Sequence, residues 1–189
     1  MTFPVSSPLH VSLSFGPDAT IDVGRLAFDR ARGAAVLEYA PEFVSSRLAL
    51  NPRWPIPSNT LLWAAEPRTF ESLHGVFADS LPDAWGRELM RRRAIELGVD
   101  PISLTVFDQL AIVGRRGTGA LVYEPAVVVE PPSAALDLDA LSRAALEVLA
   151  GGQPDLLKTL ERLGDSSGGA RPKILVAMND AGDLSAGPG

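Results

Sequence analysis

Leu9-His10-Val11-Ser12-Leu13-Ser14-Phe15 decides the class of the leading part of the chain. Apolar and polar side chains alternate with a period of two, the pattern of a strand with one face on a core and the other toward water. Working outward, Gly16-Pro17-Asp18 reads as a turn, and Ile21, Val23, Leu26 and Phe28 read as a second strand with a bulge at Gly24. Asp29-Arg30-Ala31-Arg32-Gly33 reads as a further reversal, leading into a third strand over 34–39. Three short strands in meander order therefore open the chain. From Pro41 to Pro67, prolines at 52, 55 and 57 interrupt any regular element, so irregular backbone is expected to carry Trp54 and Trp63 onto the sheet.

The next part is helical. Phe70, Leu73 and Phe77 form one short apolar stripe, and Asp83 is placed to cap a helix from about Ala84 to Leu97 that Gly98 closes. Its inward face is Trp85, Leu89, Met90, Ala94 and Leu97. Leu104, Phe107, Leu110 and Ala111 repeat at helical spacing and stop before Gly114; strands follow at 120–123 and 126–129. Pro131-Pro132 marks a boundary. Beyond it Asp137 starts a helix that Gly151-Gly152 ends, and Pro154 begins another with Leu156, Leu157, Leu160 and Leu163, closed by Gly164. The residues after Asp180 read as a turn and a frayed end.

Composition narrows the function classes. The 189 residues are 46% apolar, ample for a core, and the net charge of -6 lacks the Lys and Arg surplus that a phosphate backbone demands. Arg91-Arg92-Arg93 and Arg115-Arg116 are local basic clusters, the first read as a solvated helix face and the second as a solvated loop. With no cysteine and two isolated histidines, neither a disulfide framework nor a zinc site is expected. No leader pattern or apolar run of membrane-spanning length is present, which fits a cytoplasmic protein.

One stretch carries chemistry. Gly164-Asp-Ser-Ser-Gly-Gly-Ala-Arg-Pro-Lys173 runs into the apolar segment Ile174-Leu-Val-Ala177. Gly168 and Gly169 can adopt positive φ and turn several N–H groups toward one anion, while Lys173 adds a point charge for a phosphate. Pro172 removes one donor, and Ala170 stands where a Walker loop has its lysine. A Ser/Gly run after a helix is also a common plain connection. Asp79 and Asp83 flank Ser80-Leu-Pro82 without forming an acid–base dyad, Asp83 having the simpler task of cap; Trp85 reads as core and Arg87 as surface or cap.

Three segments in order, Phe77-Ala-Asp-Ser-Leu-Pro-Asp-Ala-Trp-Gly-Arg87, Leu110-Ala-Ile-Val-Gly114 with Gly119-Ala-Leu121, and Ser166-Ser-Gly-Gly-Ala-Arg-Pro-Lys173, carry a resemblance. The sequence resembles the HipA family of bacterial toxin-antitoxin serine/threonine kinases. The resemblance implies an α+β fold: over 1–130 a small N-terminal sheet or partial barrel with packed helices, then over 131–189 a linker, helices and the glycine-rich loop opening an incomplete, kinase-like core. It further implies ATP- and Mg2+-dependent phosphorylation of a translation protein such as an aminoacyl-tRNA synthetase, and a helix-turn-helix antitoxin of HipB type as partner. Gly168, Gly169, Ala170, Arg171, Pro172 and Lys173 match the family's ATP loop, and Ser166 or Ser167 falls at its autophosphorylated serine.

Kinase chemistry also needs a proton-accepting aspartate, a magnesium-holding aspartate and a strand lysine. None of these stands in a catalytic-loop pattern here; Asp165, Asp180 and Asp183 read as solvated turn residues. The chain alone is therefore expected to be a truncated form without turnover, with no catalytic or metal residues of its own and without tight ATP binding. The alternative is a non-enzymatic docking module that binds and neutralises a separately encoded kinase of this type.

Overall fold

The structure is a computed structural model that describes residues 8–16, 18–51, 61–64, 68–96, 98–117, 119–126, 137–152, 176–178, 180, 182 and 184–186. By compactness the chain falls into two units, one comprising 1–81 and 104–127, the other 82–103 and 128–189.

The first unit is built on a five-stranded antiparallel sheet of order β4-β3-β2-β1-β5, open at both edges, which establishes the α+β class. The strands are β1 (Leu9–Ser14), β2 (Thr20–Asp29), β3 (Ala34–Tyr39), β4 (Leu61–Trp63) and β5 (Leu121–Glu124). The meander of β1 to β3 is as the alternation predicts. The β2–β3 reversal is an Asx turn in which the Asp29 carboxylate accepts from the backbone N–H of Ala31 at 2.8 Å and of Arg32 at 3.3 Å. The Arg32 guanidinium then lies 4.0 Å over the Trp63 ring on β4.

Gly24 is the residue the sheet depends on most. Its φ is +137°, and a Cβ there would sit 2.0 Å from the Glu38 carbonyl oxygen on β3. The β1–β2 register slips between Val11 and Ser12, opposite this point. The slip corrects the expected alternation: Leu9 and Val11 are buried, but Ser12 is buried as well and Phe15 is 65% exposed.

Between Pro41 and Pro67 the described residues, 41–51 and 61–64, include two regular elements where irregular backbone was expected. Pro41 opens helix α1 (Pro41–Ser46), where its missing N–H costs nothing, and Phe43 stacks on Tyr39 with ring centroids 5.5 Å apart. Strand β4 forms because Leu61, Leu62 and Trp63 pair with Glu38, Leu37 and Val36. Trp63 thus reaches the sheet, while Trp54 lies outside the described residues.

The expected helix through Phe70, Leu73 and Phe77 is instead two pieces, a 3-10 turn at Thr69–Ser72 and α2 (Gly75–Ala78). Phe70, Glu71 and Ser72 all have positive φ, which rotates Phe70 out of the stripe to 60% exposure. Helix α3 (Ala84–Glu96) belongs to the second unit and is described below. In the first unit, α4 (Val106–Val113) begins with a capping box in which Thr105 Oγ1 accepts from the Asp108 N–H and Asp108 accepts from the Thr105 N–H. It ends at Gly114, as predicted. Leu9, Val11, Leu26, Leu37, Phe77, Leu110 and Tyr123 form the centre of the core beneath the sheet.

In the second unit α3 ends on Gly98, with φ +70°, Gly98 N donating to Ile95 O and Val99 N to Ala94 O. Trp85, Leu89 and Ala94 are buried as expected, Met90 is half-buried, and Leu97 lies outside the described residues. Helix α5 (Leu138–Leu149) starts at Asp137, whose carboxylate accepts from the Ala140 N–H at 2.9 Å. The apolar segment at 174–177 and the stretch after Asp180 contribute a hairpin of β6 (Val176–Met178) and β7 (Leu184–Ala186), so residues 184–186 are paired where a frayed end was expected. The strand at 126–129 is not formed at Ala126, and 127–129, the Pro131-Pro132 boundary and the helix from Pro154 lie outside the described residues.

Candidate functional site

Gly168, Gly169, Ala170, Arg171, Pro172 and Lys173, with Ser166 and Ser167, lie outside the described residues, as do Gly164, Asp165 and Asp183. Asp180 is exposed beside β6. The other two motif segments are described in full, and several of their residues have a structural task.

In the first unit, Phe77 sits edge-on to His74 at 5.4 Å and to Tyr123 at 6.4 Å. The Tyr123 hydroxyl donates to Ser80 Oγ at 2.7 Å, so the serine of the Asp79-Ser80-Leu81-Pro82 run is tied to strand β5. Burial pushes the Tyr123 phenol well above its ordinary range. Gly114 closes α4 and accepts the Tyr123 N–H on its carbonyl at 3.2 Å, and a Cβ on it would lie 2.8 Å from that of Ala126. Sequence reasoning missed the Ser80–Tyr123 link, because the partners lie far apart along the chain.

Both histidines are accounted for. His74 is buried and its Nε2 donates to the Leu62 carbonyl at 3.0 Å; burial pulls its pKa below the usual value. His10 stands on the solvent side of the sheet, 2.8 Å from Asp22 and 3.9 Å from Glu124, with Arg115 on the far side of Glu124 at 2.7 Å. This pairs Arg115 with a carboxylate. Among the described residues no group of His, Asp and Glu could hold a metal ion.

In the second unit, Asp83 accepts from the Gly86 N–H at 2.8 Å, the predicted cap, and Arg87 Nε donates to the Pro82 carbonyl at 2.9 Å. Trp85 is buried, and its Nε1 has no partner among the described residues. The arginine cluster departs from expectation: Arg91 is exposed, but Arg92 is buried. Glu88 binds both, at 2.8 Å and 2.7 Å. Its carboxyl is lowered to about 2, chiefly by the Arg91 bond, with Arg92 adding to it against the cost of burial.

Of the described carboxylates, Asp83, Asp108 and Asp137 serve as helix caps, and Asp22, Glu88 and Glu124 stand in ion pairs. No described helix is long and apolar enough to cross a membrane. No curated protein matches the chain. A family model described as the HipA N-terminal domain matches residues 19–124, a span that takes in most of the sheet, α1 to α4 and the motif from Phe77 to Arg87. The chain belongs to the HipA N-terminal domain family.

Proposed function

We propose that the chain is the N-terminal part of a HipA-type toxin-antitoxin serine/threonine kinase that uses ATP and Mg2+ to phosphorylate a translation protein such as an aminoacyl-tRNA synthetase. The observation that carries the reading is the family match over 19–124, joined to the downstream stretch Ser166-Ser-Gly-Gly-Ala-Arg-Pro-Lys173 in the order the family has it. In this reading the N–H groups around Gly168 and Gly169 hold the ATP phosphates and Lys173 adds its charge to them. Phosphorylation of Ser166 or Ser167 brings about two negative charges beside those phosphates and so disfavours the nucleotide. A helix-turn-helix antitoxin of HipB type is the partner, and the cytoplasm is the compartment.

The test is ligand-observed NMR with millimolar ATP and Mg2+ on the 189-residue chain. Weak saturation transfer to ATP that Lys173→Ala abolishes is the expected result. No transfer, or transfer indifferent to Lys173→Ala, refutes the cradle. Labelled ATP should leave an added synthetase unlabelled, because these residues contain no catalytic-loop aspartate.

A further inference from the structure

Among the described residues, four of the five non-glycine residues with positive φ fall within 68–72. Arg68 stands at +72°, and Phe70, Glu71 and Ser72 follow at +49°, +58° and +66°. The last three make a left-handed turn, closed by the Leu73 N–H donating to the Phe70 carbonyl at 3.1 Å. For residues other than glycine and asparagine, each left-handed position is disfavoured by about tenfold in population. The turn gains little burial in return. Phe70 is 60% exposed, its ring lying over Gly75, where an added Cβ would meet ring carbons at 3.6 to 3.8 Å. Glu71 is exposed as well.

Strain of this kind persists only where neighbouring contacts impose it. Ser72 Oγ accepts the Arg68 N–H at 2.9 Å, which draws the two ends of the turn together. His74, just after the turn, is extended at φ -71° and ψ 141°, and its Nε2 donates to the Leu62 carbonyl on β4 at 3.0 Å. The same residues have a second solution. Phe70, Leu73 and Phe77 are spaced to share one face of a right-handed helix, and Leu73 and Phe77 are already buried. Continuing α2 backward through the turn relieves the strain and brings Phe70 toward that buried face. It also requires His74 to leave its extended conformation, so the bond to Leu62 has to open.

We propose that residues 69–74 are a two-state switch built into the first unit. The left-handed state presents the Phe70 ring to solvent, the right-handed state withdraws it beside Leu73 and Phe77, and the bond from His74 to Leu62 is the latch between them. The exposure of Phe70 is thereby coupled to the edge strand β4, and any ligand that prefers one state shifts the other in proportion.

Relaxation-dispersion NMR on the full chain tests the switch, with Glu71→Ala and Glu71→Gly as the pair. Both remove the exposed carboxylate and its contacts, so they differ in backbone preference, glycine accepting the φ of +58° freely. In Glu71→Ala the amides from Thr69 to His74 should exchange with a minor state whose Cα shifts are right-handed helical. The Trp63 amide, which shares its peptide group with the Leu62 carbonyl, should exchange at the same rate. In Glu71→Gly the minor population should fall about tenfold. Flat dispersion in Glu71→Ala, a minor state without helical shifts, or equal populations in the two variants overturns the switch. Exchange at the turn that Trp63 does not share overturns the latch.

Discussion

Gly24→Ala is the substitution the sheet should tolerate least. At φ +137° the backbone conformation is open essentially to glycine, at a cost of about 1–3 kcal/mol for another residue. The new Cβ would also stand 2.0 Å from Glu38 O and 2.9 Å from both Ala40 N and Tyr39 Cα. All three are backbone atoms, so no rotamer relieves the contact. Strands β2 and β3 must move apart by more than an ångström, which stretches bonds such as Ala40 N to Val23 O, now 2.9 Å; each one lost costs about 1 kcal/mol. The total is about 3–5 kcal/mol, a large share of the roughly 5–15 kcal/mol that holds a typical domain. In urea unfolding followed by circular dichroism, the midpoint should fall by about 2 M at an ordinary m-value. Gly33→Ala is the control: its φ is +65° but nothing lies within 4 Å of the added Cβ, so only about 1 kcal/mol is at stake. Equal, small losses in the two variants would refute the reasoning.

Two further outcomes follow from the described geometry. Thr105→Ala should remove about 1–2 kcal/mol by breaking the capping box with Asp108, whereas Thr105→Ser keeps it; thermal unfolding that fails to separate the two variants counts against the cap. Tyr123 and Tyr39 both have phenols raised by burial, so the folded state holds their protons more tightly than the unfolded state; stability is full below pH 10 and declines as pH rises past it. Phenolate absorbance should therefore appear late and together with unfolding, and a simple titration near pH 10 in the folded protein would contradict that.

Features decided by neighbouring residues were legible in the sequence. The alternation of Leu9, Val11 and their polar neighbours, the caps Asp83 and Asp137, and the stops at Gly98, Gly114 and Gly151 all depend on a few adjacent side chains. Features decided by distant partners were not. Strand β4 exists through its pairing with β3, β7 through its pairing with β6, and the burial of Arg92 through carbonyls 56 and 60 positions away. The left-handed run at Phe70 to Ser72 breaks an apolar stripe whose spacing alone suggests a helix. For the candidate site, the sequence supplies the motif from Ser166 to Lys173, while the structure describes the scaffold upstream of it.

The pairing of β1 with β5 has a consequence for synthesis. His10 lies opposite Glu124, so the two partners are translated more than a hundred residues apart. Until the later strand leaves the ribosome, the nascent meander carries a bare flank of unpaired N–H and C=O groups along β1, the kind of edge on which chains aggregate. A slow stretch of translation after Tyr39 would prolong that exposure, and a trigger-type chaperone holding the early hairpins would shorten it.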